Sequence, residues 1–334
     1  MRLGVTSIWG EDLAAYRAIV RSAAEHGIDA IGVGDTPAGW RDMMISLALA
    51  ALDAPRATIT SMVTAPFLRH PLASANAMSS LYELSGGRAV YGLGTGGSNV
   101  MAMGRSRATQ AEIHAEFDAL RDLFAGRGTE WAGAKVAPLR YARPVPIYYS
   151  AFGPKALALA GARADGVILF TGDRQIEQLT QNIAAVRSAA VAAGRDPKSV
   201  DIWVLSYTSI RDDRAQSLDD LGAYLAANAL TIGKSPKLLA EASPQERDGI
   251  LEFCRRYDVT QHVAAGGSNA ALVHELGLAD YLSGFNTTIG DSATLKAFLR
   301  TLESLDVSTF FSPLTGHADP LGTINALAQA RDEM

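Results

Sequence analysis

Residues 63–96 read VTAPFLRHPLASANAMSSLYELSGGRAVYGLGTG, and they contain a strand end, a complete helix and the next strand. A proline at the first turn and glycines just past the end predict a helix over 71–87. The apolar run 57–66 precedes this helix and the run 88–96 follows it. Two strands joined by one crossover helix lie parallel to each other, so the stretch predicts a βαβ unit.

The same alternation of apolar strands and alanine-rich helices extends in both directions from this unit. Eight strands are predicted, over 3–8, 29–35, 57–66, 88–96, 146–151, 165–172, 200–210 and 308–316. Apolar strands separated by helices indicate a parallel sheet covered by helices. The count fits an α/β fold of the (β/α)8 TIM-barrel type, with an open doubly wound sheet as the competing architecture. We expect one domain over 1–334, with insertions at 127–144 and at about 213–282.

Composition excludes several classes of function. The chain has 334 residues, 48% of them hydrophobic, and a formal net charge of -5. It has no basic run, so nucleic-acid binding is not expected. No apolar stretch reaches ~18 residues and no signal peptide is recognisable, so we expect no membrane span and a cytoplasmic protein. The single cysteine, Cys254, excludes an intramolecular disulfide, and no metal-binding motif occurs, so no metal site is predicted.

Gly92, Gly94 and Gly97 fit the pattern G-x-G-x-x-G of dinucleotide-binding sites. In such sites the helix begins at the third glycine, and an acidic residue follows about 20 residues later at the next strand end. Here the next long helix is predicted to begin near Thr109, and the acidic residues at that distance fall inside it. The nicotinamide-dinucleotide interpretation therefore fails. The glycines either permit a tight turn or let a ligand approach the backbone, and the spacing alone does not decide.

Two longer blocks carry a resemblance to a known family. The first is 63–96, and the second is 144–168, PVPIYYSAFGPKALALAGARADGVI. The two blocks occur in the same order as in the superfamily of bacterial luciferase-like flavin monooxygenases and coenzyme F420-dependent oxidoreductases, and they resemble the sequences of that superfamily. The similarity runs from about residue 1 to 210 and returns weakly at 291–316. The segment 31–52, IGVGDTPAGWRDMMISLALAAL, is similar to the methylenetetrahydromethanopterin-reductase-like branch. The resemblance implies a TIM barrel and a homodimer.

The resemblance also implies a cofactor and a reaction. The leading hypothesis is an oxidoreductase that uses coenzyme F420, a deazaflavin, to transfer a hydride to or from a small organic substrate. The alternative is an FMN-dependent monooxygenase that uses oxygen and reduced flavin from a separate reductase. A third possibility, from another class, is a barrel that binds a flavin or another ligand without turnover.

Catalytic candidates follow the first two predicted strands. Asp35 matches the strand-two aspartate that lies beside the deazaflavin ring in relatives. The histidine that often follows it is replaced by Thr36, which argues against the alcohol and sugar-phosphate dehydrogenase subgroups. Trp9 and Trp40 follow strand ends, where they either contact the ligands or pack at the rim. We expect Asp35, Thr36 and Trp9 to orient the substrate and move its proton.

Cofactor-binding candidates are carried over from the same family pattern. Ser61 and Met62 fall on the strand-three bulge, where relatives hold a non-prolyl cis peptide against the ring. Gly94 lies in the glycine-rich loop. The loop after strand five precedes a helix, whose N-terminal amides and dipole attract an anion such as the cofactor phosphate. The full predicted set is Asp35, Ser61, Met62, Thr64, Gly94, Thr95, Asn99, Ser150, Ala151, Phe152, Gly153 and Pro154.

His70 precedes the proline that begins the helix over 71–87. We interpret it as a residue that caps this loop structurally. A histidine at the top of a barrel could instead act as an acid–base group, because its ordinary pKa lies near neutrality.

Overall fold

Eight parallel strands close into a barrel in the computed structural model, which describes residues 1–8, 12–258, 261, 266–314 and 319–334. The strands are β1 (Arg2–Thr6), β2 (Ala30–Val33), β3 (Thr58–Ser61), β4 (Ala89–Leu93), β5 (Thr129–Trp131), β6 (Ala134–Val136), β7 (Ile147–Ser150), β8 (Gly166–Phe170), β9 (Asp201–Leu205), β10 (Tyr207–Ile210), β11 (Thr287–Gly290) and β12 (Thr309–Pro313). Around the barrel the order is β1-β12-β9-β8-β7-β4-β3-β2, and β1 pairs with both β12 and β2. The TIM barrel is confirmed, and the open sheet is wrong because no edge remains.

Helices cover the outside of the barrel and fill the larger insertion. They are α1 (Leu13–Glu25), α2 (Met43–Asp53), α3 (Pro71–Leu84), α4 (Ser98–Met101), α5 (Gln110–Phe124), α6 (Pro154–Arg163), α7 (Ile176–Ala192), α8 (Arg214–Asp220), α9 (Gly222–Gly233), α10 (Pro236–Glu241), α11 (Pro244–Arg256), α12 (Ser268–Glu275), α13 (Ala279–Leu282), α14 (Ser292–Ser304) and α15 (Pro320–Asp332). In the described ranges, none of them is long and apolar enough to cross a membrane.

Both predicted insertions are present. Residues 127–144 contain the antiparallel hairpin β5–β6, and helices α8–α13 occupy the region from about 213 to 282. These helices bury their own apolar cluster, which includes Leu225, Ile250 and Phe253. The insertion therefore has a core that is separate from the core between the barrel strands and their helices.

The predicted strand over 200–210 is divided in two. Residues up to Leu205 form β9 in the barrel, whereas β10 turns out of it and pairs with β11. The prediction of one continuous barrel strand is wrong in this respect. The change of partner begins at Ser206, whose amide still bonds to Phe311 of β12, while the Tyr207 amide bonds to Asn286.

Aromatic side chains fill the barrel interior towards the end where the strands begin. The rings of Tyr148 and Phe311 lie 4.2 and 5.0 Å from the ring of Trp203. Asp201, the first residue of β9, accepts hydrogen bonds from the Tyr148 hydroxyl at 2.7 Å and the Trp203 indole at 2.9 Å. These aromatic side chains close the barrel at the end where the strands begin. A ligand can therefore bind only at the opposite end, where the strands finish.

Candidate functional site

The loops after β2, β3 and β4 meet at Asp35. This residue is only 3% exposed. Its Oδ2 accepts a hydrogen bond from Thr64 Oγ1 at 2.5 Å and forms an ion pair with the guanidinium of Arg69. Its backbone oxygen accepts a bond from Asn99 Nδ2 at 3.0 Å. Three of the residues predicted from sequence, Asp35, Thr64 and Asn99, therefore lie together.

Asn99 organises the glycine-rich loop as well as joining it to Asp35. Its Oδ1 accepts hydrogen bonds from the amides of Gly97 at 2.8 Å and Val100 at 2.9 Å. Both ends of the side-chain amide are thus used inside the protein. Asn99 fixes the shape of this loop relative to the end of β2, and a direct contact with a cofactor stays a prediction.

The segment after β3 contains the non-prolyl cis peptide, but one bond later than the sequence predicted. It joins Met62 to Val63, and not Ser61 to Met62. Ser61 has no exposed surface, and its hydroxyl bonds to the carbonyl oxygen and the amide of Gly92 at 2.9 and 2.8 Å. The Ser61 side chain therefore joins this segment to β4, and its contact with a cofactor stays a prediction, whereas Met62 and Val63 face the barrel interior.

The glycine pattern has a packing cause. A Cβ added to Gly92 would collide with the carbonyl oxygen of Ser61, and one added to Gly94 would lie 2.8 Å from Cγ2 of Val63. A four-residue helix, α4, begins directly after the third glycine, which the sequence did not predict. The long helix α5 begins well beyond it, because Thr109 caps α5 in a reciprocal capping box with Glu112, and its predicted start near Thr109 is confirmed. Close approach of β3 and β4 explains the first two glycines.

The loop after β7 ends at a helix N-terminus that is open to an anion. Gly153 has a φ of 78°, which glycine adopts readily, and no side chain caps α6. Pro154 occupies the first turn, and Lys155 follows it. Free amides in a first turn, together with the helix dipole, attract negative charge. Ser150 and Ala151 are buried at the strand end, and phosphate binding by this loop stays a prediction.

Aromatic side chains form one wall of the barrel mouth. Phe152 is 64% exposed, and its ring lies 5.2 Å from that of Phe170. Tyr207 and Val63 pack with Phe170 against the interior cluster, and Tyr207 stacks on Tyr224 at 3.3 Å. Burial raises the pKa of Tyr207 to about 12, so its hydroxyl keeps its proton at neutral pH.

The loop that follows β2 carries Thr36, the second catalytic candidate. The backbone carbonyl oxygen of Thr36 accepts hydrogen bonds from the amides of Gly39 and Trp40, both at 2.9 Å, and these bonds close a turn. Trp40 packs over Gly34, and a cavity of about 370 Å³ lies beside it, lined also by Ile8 and Tyr16. Trp9 lies outside the described residues, so its predicted role is not placed.

Arg69 is the site residue that the sequence did not identify. Its partners, Asp35 and Asp42, precede it by 34 and 27 positions, and no local pattern indicates either pair. The neighbouring His70 caps α3, since its Nδ1 accepts a bond from the Leu72 amide at 3.1 Å. The structural interpretation of His70 is confirmed. In the described part of the chain, no group of three or more His, Cys, Asp or Glu residues could hold a metal ion.

Comparison with known proteins gives relatives of this fold and sequence. The chain is 31% identical over 282 residues to a 5,10-methylenetetrahydromethanopterin reductase of Methanolobus tindarius, covering 81% of this chain and 82% of the relative. It is 29% identical over 224 residues to an F420-dependent glucose-6-phosphate dehydrogenase of Nakamurella multipartita, covering 61% of this chain and 66% of the relative.

A solved structure supports the fold independently. The coenzyme F420 dependent tetrahydromethanopterin reductase from Methanopyrus kandleri superposes with a TM-score of 0.78 at 20% identity, covering 98% of this chain and 97% of that one. The family model described as luciferase-like monooxygenase matches residues 1–309. The chain therefore belongs to the luciferase-like monooxygenase family.

Proposed function

We propose that the chain is an oxidoreductase that uses coenzyme F420 to transfer a hydride to or from a small organic substrate. The observation that carries the choice of cofactor is the similarity to an F420-dependent glucose-6-phosphate dehydrogenase across 61% of the chain. The relatives named above include F420-dependent enzymes with different substrates, so the substrate is proposed only as a class.

The residues at the barrel mouth fit the chemistry of this cofactor. F420 has a flat ring with one polar edge and a chain that carries a phosphate, and when bound it supplies a two-electron hydride carrier. Phe170, Val63 and Tyr207 offer an apolar wall for a flat ring. The uncapped start of α6 offers amides to a phosphate, as an anion requires.

Within this proposal, the chain orients the bound ligand. Thr64 and Arg69 both donate to the same oxygen of the Asp35 carboxyl group, which holds this group as an acceptor in one position. Asp35 therefore orients the ligand. Thr36 and Trp9 stay predicted to contact the substrate and to move its proton.

An FMN-dependent monooxygenase is the second candidate, favoured by the description of the family model that matches the chain. This function requires reduced flavin from a separate reductase. Titration of the purified protein with F420 and with FMN, followed by fluorescence, separates the two. Micromolar binding of F420 with weak FMN binding supports hydride transfer. The opposite preference supports the monooxygenase, and oxygen uptake becomes the next assay.

Asn99→Leu is expected to weaken F420 binding about tenfold or more. The leucine removes the bonds to Gly97, Val100 and Asp35, and each loss of a buried partner costs ~1–3 kcal/mol. Fluorescence titration measures the dissociation constant, and circular dichroism checks the fold. A folded variant with the affinity of the original protein would remove Asn99 from the cofactor site.

We also propose a homodimer that buries the outer face of α2. Ile45 and Leu52 are 56% and 59% exposed and lie seven positions apart, which places them on one side of the helix. Leu84 at the end of α3 is also exposed. Apolar surface of this kind marks contact sites between proteins.

Ile45→Glu combined with Leu52→Glu is expected to convert such a dimer to a monomer, because two buried carboxylates would face a copy of themselves. Light scattering at micromolar concentration measures the mass. Val191→Glu is the control, since Val191 is 59% exposed on α7, across the barrel from α2. If the double variant and Val191→Glu have the same effect on the mass, the outer face of α2 is not the dimer interface.

A further inference from the structure

The Arg69 guanidinium bridges two carboxylates that flank one loop. Its Nη1 pairs with Oδ2 of Asp35 and its Nη2 with Oδ2 of Asp42, the latter at 2.9 Å. Asp35 lies just beyond the end of β2, and Asp42 is the N-cap of α2. Residues 36–41 connect these two positions. Both ends of the loop are thus held by a single side chain that comes from the next loop of the barrel.

The two ends differ in environment. The Asp35 side chain is 2% exposed and Arg69 is 20% exposed, whereas the Asp42 side chain is 46% exposed. Burial lowers the pKa of Arg69, but the carboxylates of Asp35 and Asp42 offset this, and its pKa lies above the ordinary value. The pair with Asp35 is therefore the buried anchor, and the pair with Asp42 is the arm that reaches the surface.

Asp42 uses its two oxygens for separate purposes. Oδ1 accepts the Ile45 amide at 3.1 Å and caps α2, while Oδ2 accepts from Arg69. Partial burial raises the pKa of Asp42, but the bonds from Ile45 and Arg69 lower it by more. The cap and the bridge can therefore be separated by substitution, because asparagine is also a good N-cap and lacks the charge.

We infer that Arg69 is a positioning residue that couples the Asp35 carboxylate to the loop 36–41, and so fixes Thr36 and Trp40 at the mouth of the barrel. The planar fork of arginine can hold two carboxylates at once, whereas the single ammonium of lysine at this position can satisfy the buried one only. The ion pairs of Arg69 hold the loop 36–41 whether or not a cofactor is bound. The role of this loop in F420 binding rests on the function proposed above.

Three variants separate the two arms. Asp42→Asn keeps the cap and breaks the outer arm, Arg69→Lys keeps the charge beside Asp35, and Arg69→Met removes both arms. Hydrogen–deuterium exchange of the peptide covering 36–41 in the cofactor-free protein measures the loop. Fluorescence titration with F420 measures the site. Asp291→Asn is the matched control, because Asp291 caps α14 through the Thr294 amide.

We expect exchange of 36–41 to rise about three- to tenfold in all three Asp42 and Arg69 variants, which corresponds to ~1 kcal/mol of lost order. F420 affinity should change less than about threefold in Asp42→Asn and Arg69→Lys but fall about tenfold or more in Arg69→Met, because only methionine leaves Asp35 buried without a counter-ion. Asp291→Asn should change neither quantity.

Unchanged exchange of 36–41 in Asp42→Asn overturns the coupling, and so does Arg69→Met with the original F420 affinity. If Arg69→Met does not fold, Asp42→Asn and Arg69→Lys still decide. If the original protein does not bind F420, the proposed function fails, and the exchange measurements still test the loop.

Discussion

Gly92→Ala is expected to prevent the barrel from folding or to destabilise it by at least about 3 kcal/mol, the upper part of the range for overpacked cores. The added Cβ would collide with the carbonyl oxygen of Ser61. That atom belongs to the backbone of β3 and cannot rotate away. The Ser61 hydroxyl also bonds to both the amide and the carbonyl of Gly92, so separating the strands breaks these bonds too.

The other glycines of the same pattern provide graded controls. A Cβ on Gly97 has no atom within 4 Å, so Gly97→Ala should unfold at the temperature of the original protein. Gly94→Ala should lie between the two, because its Cβ meets the side chain of Val63, which can adjust. Thermal unfolding and the yield of folded protein measure all three. Equal effects at Gly92 and Gly97 would contradict the packing explanation.

This contrast also shows why the barrel was readable from sequence while the purpose of the glycines was not. Alternating strands and helices, with Pro71 and Thr109 at helix starts, are local signals, and they gave the eight strands and most helix limits. The collision at Gly92 depends on Ser61, 31 positions away, on a neighbouring strand. A pattern of glycines indicates that a Cβ would not fit, but it does not indicate which neighbouring atom occupies the space.

The division of the strand over 200–210 has a similar origin. The run VDIWVLSYTSI is rich in apolar, aromatic and β-branched residues and contains no glycine or proline, so no local residue marks the change of sheet. The change follows from a partner, β11, which is only four residues long and lies 80 positions later, at Thr287 for Tyr207. Short strands between helices carry too little periodicity to be recognised, so both features escaped prediction.

The site was predictable where position along a strand decides it. Asp35, Thr64 and Asn99 follow three neighbouring strands, and parallel strands bring their carboxyl ends to one rim. Arg69 was missed because a long, flexible side chain reaches its partner through tertiary structure. The cis peptide was expected in the correct loop but fell between Met62 and Val63, because its place depends on the exact register of the bulge.

A second large effect concerns a buried acid outside the site. Glu116 of α5 is 1% exposed, and within the described residues its Oε2 has no hydrogen-bond partner. Burial raises the pKa of Glu116 to about 7. The buried Tyr91 hydroxyl is nearby, and its pKa is raised by burial first and by the charge of Glu116 second. Folding therefore favours the protonated form of this carboxyl group.

The protein is expected to lose roughly 2–3 kcal/mol of stability between pH 5 and pH 8 through Glu116 alone, since one unit of pKa shift is worth about 1.4 kcal/mol. The folded protein keeps the proton up to about pH 7, whereas the unfolded chain releases it near the ordinary value of 4.5. The folded state thus binds more protons across this window, and its stability falls as the pH rises.

Glu116→Gln should remove this dependence, because glutamine keeps the shape of the side chain and never ionises. Urea unfolding at pH 5 and pH 8 measures the effect: the variant should match the original protein at pH 5 and exceed it at pH 8. Glu130→Gln, at an exposed position on β5, is the control and should leave the slope unchanged. Parallel slopes in Glu116→Gln and the original protein would mean that Glu116 is ionised in the fold, which requires a cation or water beside it to compensate for its burial.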